Sequence, residues 1–218
     1  DWLRVTFDGD SPGFLFVSKK DPSALETRED NDEFYYLASE VPDPDHASPF
    51  PTVKVRGPVA FIGLSSAAPT PPLMATGLVG GRQRRRLQDL LAWAGEQGLF
   101  RVVLVHHAPV PSSYRWRKRL VDGRETMSVI QSEGAELVLH GHTHRITRIM
   151  VPGPEGRAIP VIGLPSASAV MTSAERAARY SLWTVRRAGD GFSVHHCSRV
   201  YDALQGEFRD IGDWNPLV

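Results

Sequence analysis

Apolar residues along this chain fall into short runs and one helical stripe, separated by connectors rich in Gly, Pro and Asp. Val53 and Val55, followed by Val59-Ala-Phe-Ile-Gly-Leu64, predict a hairpin or paired strands, the second apolar enough to be buried on both faces. Residues 69–81 form a Pro/Gly loop. Leu87, Leu90, Leu91 and Ala94 then recur at helical spacing and predict a helix over 82–97, with Gly98 as its stop. Residues 100–105 read as a buried strand, 126–133 as a short helix ended by Gly134, and 135–140 and 159–164 as two more strands. Residues 180–187 and 192–200 predict a closing hairpin around Ala-Gly-Asp-Gly. Upstream the pattern weakens. There are short apolar runs at 14–17 and 33–37, a charged loop at 19–33, and a proline-rich connector at 43–51. The order strand, helix, strand, helix, strand and then antiparallel strands predicts an α/β protein with mixed sheets.

A chain of 218 residues with 41% hydrophobic content has enough apolar material for one substantial core. The expectation is a single domain over 1–218, poorly assigned over 1–50. The 25 basic and 25 acidic residues cancel, which argues against non-specific binding to nucleic acid or an anionic membrane. Cys197 is the sole cysteine, so no intrachain disulfide forms and a reducing, cytoplasmic setting is expected. No apolar stretch approaches bilayer length, and Asp-Trp-Leu-Arg does not begin a secretory signal. The missing initial methionine points to residues upstream.

Candidate chemistry gathers where two buried strands end. One group is Val103-Leu-Val-His106-His107-Ala-Pro109; the other is Leu137-Val-Leu-His140-Gly141-His142-Thr-His144-Arg145. Ligands of open α/β sheets bind outside the carboxyl ends of strands, so both groups are expected to face one crevice. Gly141 allows a sharp exit from the strand, and His142 and His144 then direct two imidazoles toward neighbouring points. Neutral imidazole binds Mn, Fe and Zn alike. Two such metals about 3.5–4 Å apart suit an in-line phosphoryl displacement. Of His106 and His107, one is expected to reach a metal and the other to orient a ligand or contact substrate. His195 and His196, in the middle of the hairpin, are expected to be structural.

The strand end Val-His106-His107-Ala-Pro resembles the fourth motif of the calcineurin-like metallophosphoesterases, and Gly141-His-Thr-His144 resembles their fifth. Val59 to Ser66 and Ile162-Gly-Leu-Pro-Ser-Ala-Ser168 look like the family's strands beside the site, so the resemblance covers roughly residues 51–202. It implies an α/β/β/α sandwich around a pair of divalent metals. His106 and His142 would bind one metal and His144 the other. A metal-bound hydroxide would attack a phosphomonoester or phosphodiester, a nucleotide among the candidates. His107 and Arg145 become candidate substrate contacts.

The family's first three motifs, Asp-x-His, Gly-Asp-x-x-Asp and Gly-Asn-His-Asp/Glu, are absent. Asp8-Gly-Asp10 lacks its histidine, and Asp43-Pro-Asp45-His46 has the wrong spacing. The chain is thus either the C-terminal portion of a longer enzyme, lacking an N-terminal βαβ segment, or a short relative whose incomplete site binds without catalysis. A missing βαβ segment would leave a sheet edge bare, to be covered by residues 1–50, by a second copy or by a partner chain. Tyr114-Arg-Trp-Arg-Lys-Arg119 follows the first histidine group and reads either as a solvated basic loop or as a contact for substrate phosphates and a base. A nucleic-acid module built on that segment is the weakest reading, given zero net charge.

Overall fold

The computed structural model describes residues 50–110, 116–169 and 176–211 throughout. It also describes the backbone of two N-terminal strands and of a last strand ending at Asp213. The expectations for 19–33 and 33–37, the aspartates examined upstream and Tyr114 lie outside these residues.

The strands are β1 (Trp2–Thr6), β2 (Pro12–Phe16), β3 (Thr52–Arg56), β4 (Val59–Leu64), β5 (Phe100–Val105), β6 (Leu137–His140), β7 (Thr147–Pro152), β8 (Ala158–Gly163), β9 (Arg179–Ala188), β10 (Gly191–Asp202) and β11 (Glu207–Asp213). Helix α1 spans Gly81–Glu96 and α2 spans Gly123–Glu133. One sheet runs β3-β4-β5-β6-β8-β7, the other β11-β10-β9-β1-β2. In the first, β4, β5, β6 and β8 are mutually parallel, while β3 and β7 flank them antiparallel. In the second, β1 lies parallel to β9 and the other pairings are antiparallel. The chain is therefore α/β with mixed sheets, as its alternating pattern predicts. The edges of β4 and β9 are each paired by a strand of this same chain, β3 and β1.

Side-chain alternation in the parallel strands explains the layering. Ile62, Leu64, Val103, Val105, Val138, Ile159 and Val161 face α1 and α2 and pack with Leu87, Leu91, Met127 and Ile130. Their strand neighbours Val59, Phe61, Phe100, Val102, Leu137 and Ile162 face the opposite way, onto Trp183, Val185 and Val194 of the second sheet. Helices, six-stranded sheet and second sheet thus form three layers with two apolar seams. On α1 the buried residues Leu87, Leu91 and Ala94 are the stripe seen in sequence, and Gly98 (φ 61°) ends the turn beyond it. Each helix carries only about one buried face, so packing rather than propensity sustains it.

Three boundaries differ from the sequence pattern. Helix α2 starts at Gly123, three residues before the expected position, because its first turn is anchored through Asp122, whose carbonyl accepts from the backbone and hydroxyl of Thr126. Strand β7 escapes notice because its alternation sets half-buried Thr147, Ile149 and Val151 against Arg148, Met150 and Pro152, too few polar residues to mark a face. Strand β11 is a largely polar edge held by backbone pairing to β10, so the expected closing hairpin has a third strand.

Asp122 does more than start α2. Its carboxylate accepts the backbone amides of Val79 (3.0 Å) and Gly80 (2.7 Å), which lead into α1, and binds the Arg84 guanidinium one turn along. A buried acid therefore ties the first turns of both helices together, in the favourable position for negative charge. Asp122→Ala is expected to cost about 2–4 kcal/mol, with Asp122→Asn recovering part of it, as read from the denaturant midpoint.

Candidate metal centre

The parallel ladder β4-β5-β6-β8 delivers four carboxyl ends to one edge. They continue into Ser65-Ser66, His106-His107, Gly141-His142 and Leu164-Pro165. Backbone pairing carries on past the strand ends, with the Gly141 amide donating to the His106 carbonyl (3.1 Å) and the Leu164 amide to the His140 carbonyl (3.2 Å). The first of these bonds sets His106 and His142 side by side. His106 Nε2 and His142 Nδ1 are 3.1 Å apart, with ring centroids 5.0 Å apart at 70°.

That separation suits two chemistries. Neutral imidazoles bridge it by N–H···N hydrogen bonding. Two nitrogens on one metal at about 2.0–2.1 Å stand roughly 2.9 Å apart in octahedral and about 3.3 Å apart in tetrahedral coordination. The pair therefore has the donor type and spacing for a single divalent ion, and both residues are only half exposed. His144 lies two residues on and is exposed, as are Arg145 and Ile146. Among the described residues no three His, Cys, Asp or Glu side chains are gathered to hold a metal. Of the sequence candidates, His106, His107 and His142 come together; His144 and Arg145 border them on the exposed turn.

The turn itself is strained. The Thr143 amide donates to the Gly141 carbonyl (2.8 Å) across His142, whose φ is 66°, and His144 has φ 51°. A three-residue turn with positive φ at its centre is rare and strained for a residue bearing Cβ. The left-handed positions here are thus the two histidines, where sequence reasoning had assigned the conformational freedom to Gly141.

His107 faces inward. Its Nε2–H donates to the Ala75 carbonyl (3.0 Å), and its Nδ1 accepts from the Ser66 hydroxyl (2.8 Å), whose oxygen in turn accepts the His107 amide (3.3 Å). The Ala75 bond places a proton on Nε2. The ring stacks obliquely on His142 with centroids 4.2 Å apart, so His107 buttresses that ligand candidate from behind. Gly77 makes this possible, since a Cβ there would overlap the His107 ring. Ser66, Gly77 and the Ala75 carbonyl escaped the sequence reading. The available signal for Ser66 was its place at the carboxyl end of an apolar strand beside the histidine-bearing one.

His140, the last residue of β6, is also enclosed. Nδ1–H donates to the Gly141 carbonyl (3.3 Å) and Nε2 accepts from Thr147 Oγ1 (3.1 Å). Burial pushes its pKa down to about 4, partly opposed by the Gly141 hydrogen bond. His196 is buried against Trp183 (centroids 4.2 Å) and bonds Ser198, while His195 is exposed on the hairpin. Neither belongs to the strand-end cluster.

No protein-family model matches this chain, and no curated protein matches it either.

Two outcomes follow. An unfolded His140 binds a proton near pH 6.5, whereas the folded one waits until about 4, so the unfolded state holds more protons between these values. Stability present above pH 6.5 is therefore lost as pH falls to 4, by up to about 3 kcal/mol from this residue, and His140→Gln should flatten that part of the pH–stability curve. Separately, Gly77→Ala should destabilise by about 1–3 kcal/mol. Gly81→Ala, where a new Cβ meets nothing nearer than 3.7 Å, should be neutral or mildly stabilising in thermal melts.

Proposed function

We propose that this chain is, or forms part of, a metal-dependent phosphoesterase of the calcineurin-like kind, acting on a phosphomonoester or phosphodiester. The observation that carries the reading is the His106–His142 pair, two imidazole nitrogens 3.1 Å apart at the carboxyl edge of a parallel ladder. The helix, six-stranded sheet and second sheet supply three of the four layers that such a sandwich would have. His106 and His142 would hold one divalent ion, and His144, on the same turn, would serve a second.

Metal bound there would supply Lewis acidity toward a phosphoryl oxygen and acidify a coordinated water. The protein's part is positioning. His107, braced by Ser66 and Ala75, holds the His142 ring in place. The turn closed by the Thr143 amide on the Gly141 carbonyl sets the backbone from which His142 and His144 would reach their ions. Arg145 stands exposed beside His144 with a planar fork suited to phosphoryl oxygens. The bridging carboxylate and the proton donor for the leaving group are not among the described residues.

A second reading is favoured by one observation, the gathering of two donors among the described residues where a working pair of metals needs more. It makes the chain a non-catalytic relative that binds or scaffolds. No helix among the described residues is long and apolar enough to cross a membrane, which leaves both readings open.

Elemental analysis of the purified protein, combined with hydrolysis of an aryl phosphodiester in added Mn, separates them. For the enzyme, His142→Ala should remove bound metal and cut turnover by more than the about 10–100-fold expected for losing an outer partner. Metal near zero stoichiometry and turnover indifferent to His142 would leave the scaffold reading. His142→Gly should lose metal equally but fold more stably than His142→Ala, by about 1–2 kcal/mol in denaturant titration, because glycine relieves the left-handed turn.

A further inference from the structure

The loop after β4 and the segment before α2 form a short two-stranded ribbon. The Ala75 amide donates to the Arg117 carbonyl (2.8 Å), the Gly77 amide to that of Arg119 (3.0 Å), and the Val121 amide to that of Gly77 (2.8 Å). Leu120 is buried and anchors the ribbon in the helix-side core. The same Ala75 accepts the His107 ring, and the same Gly77 lies against it. One residue therefore separates the histidine cluster from a turn with a very different surface.

That turn is Trp116-Arg-Lys-Arg119. All four side chains are exposed, Trp116 at 59%. The Arg117 guanidinium lies over the indole, 5.3 Å from its centroid, which restrains both groups. Among the described residues no carboxylate pairs with Arg117, Lys118 or Arg119. The nearest acid in sequence, Asp122, is turned inward onto Arg84 and two amides. Among the described residues the turn thus presents three cations without an acidic partner beside a solvent-facing indole. Together they offer what an aromatic base and its phosphate require, a stacking face and forked donors. A phosphate or an acidic peptide alone would have no use for the indole.

We propose that Trp116, Arg117, Lys118 and Arg119 recognise the base and flanking phosphate of a nucleotide substrate presented to the His106–His142 site. This substrate class rests on the phosphoesterase reading above, but the recognition surface is separately testable. The turn is exposed, so its substitutions spare the core.

Two measurements on the purified chain with Mn decide it. The first is the ratio of kcat/KM for thymidine 5′-(4-nitrophenyl phosphate) over bis(4-nitrophenyl) phosphate; the second is calorimetric binding of thymidine 3′,5′-bisphosphate. The wild type should prefer the nucleoside ester, and Trp116→Ala should lower that ratio by about tenfold. Joint replacement of Arg117, Lys118 and Arg119 by Gln should weaken bisphosphate binding at least about tenfold and flatten its salt dependence. Equal hydrolysis of both esters, unchanged by these substitutions, would overturn the proposal while leaving the phosphoesterase reading intact. Bisphosphate binding that depends on Trp116 and the three cations, in a protein that hydrolyses neither ester, would uphold the recognition surface and count against hydrolysis by this chain on its own.

Discussion

One backbone hydrogen bond, from the Gly141 amide to the His106 carbonyl, sets the geometry of the candidate centre. It extends the β5–β6 ladder one step past its last side-chain pair, Val105 and His140. A strand pairing leaves little freedom in register, because a shift by one residue would exchange the residues of the helix-side and sheet-side seams and spoil the packing of both. The site therefore inherits its precision from the apolar seams on both faces of the sheet. Val103, Val105 and Val138 on one side, with Val102 and Leu137 on the other, hold the two histidine-bearing ends level. The candidate donors themselves need contribute nothing to that alignment.

Around this pair the protein adds support of two kinds. His107 is hydrogen-bonded within the fold at both ring nitrogens, so it works as a rigid post behind His142. His140 is likewise sealed and kept neutral by burial, its Nε2 tied to Thr147 at the start of β7. The edge strand β7 thus fastens the end of β6 from the far side of β8. Only past these enclosed imidazoles does the chain become strained, at His142, and exposed, at His144. Strain and exposure fall where a ligand would act, as they do at sites whose geometry is over-determined by their surroundings.

Much of the architecture was readable because burial on both faces makes a strand nearly all apolar, as in β4, β5, β6 and β8, and because α1 keeps a clear stripe. The parts that were not readable are those decided by contacts distant in sequence. Asp122 looks like an ordinary helix start until the amides of Val79 and Gly80, more than forty residues earlier, are seen to rest on it. Gly77 has no local signature and Ser66 only its place at a strand end; their roles exist because His107 lies between them. β11 is polar and depends on β10 for its existence. At the site, the spacing of His106, His142 and His144 marked a candidate neighbourhood, but only the fold distinguishes the paired nitrogens of His106 and His142 from the exposed His144 and shows that His107 points away from solvent.

The carboxylate of Asp122 has a further bearing on how charge is distributed near the crevice. The start of an α-helix is a natural seat for free anions, since amides and the backbone dipole both point there. At α1 that seat is occupied by a side chain of the same molecule, delivered intramolecularly at an effective concentration that dissolved ions rarely match. Inorganic phosphate and sulfate are thereby kept from competing at a spot close to the ribbon. On the proposed recognition surface, anion binding would fall instead to exposed arginine and lysine side chains, which can distinguish one phosphorylated molecule from another by shape as well as by charge.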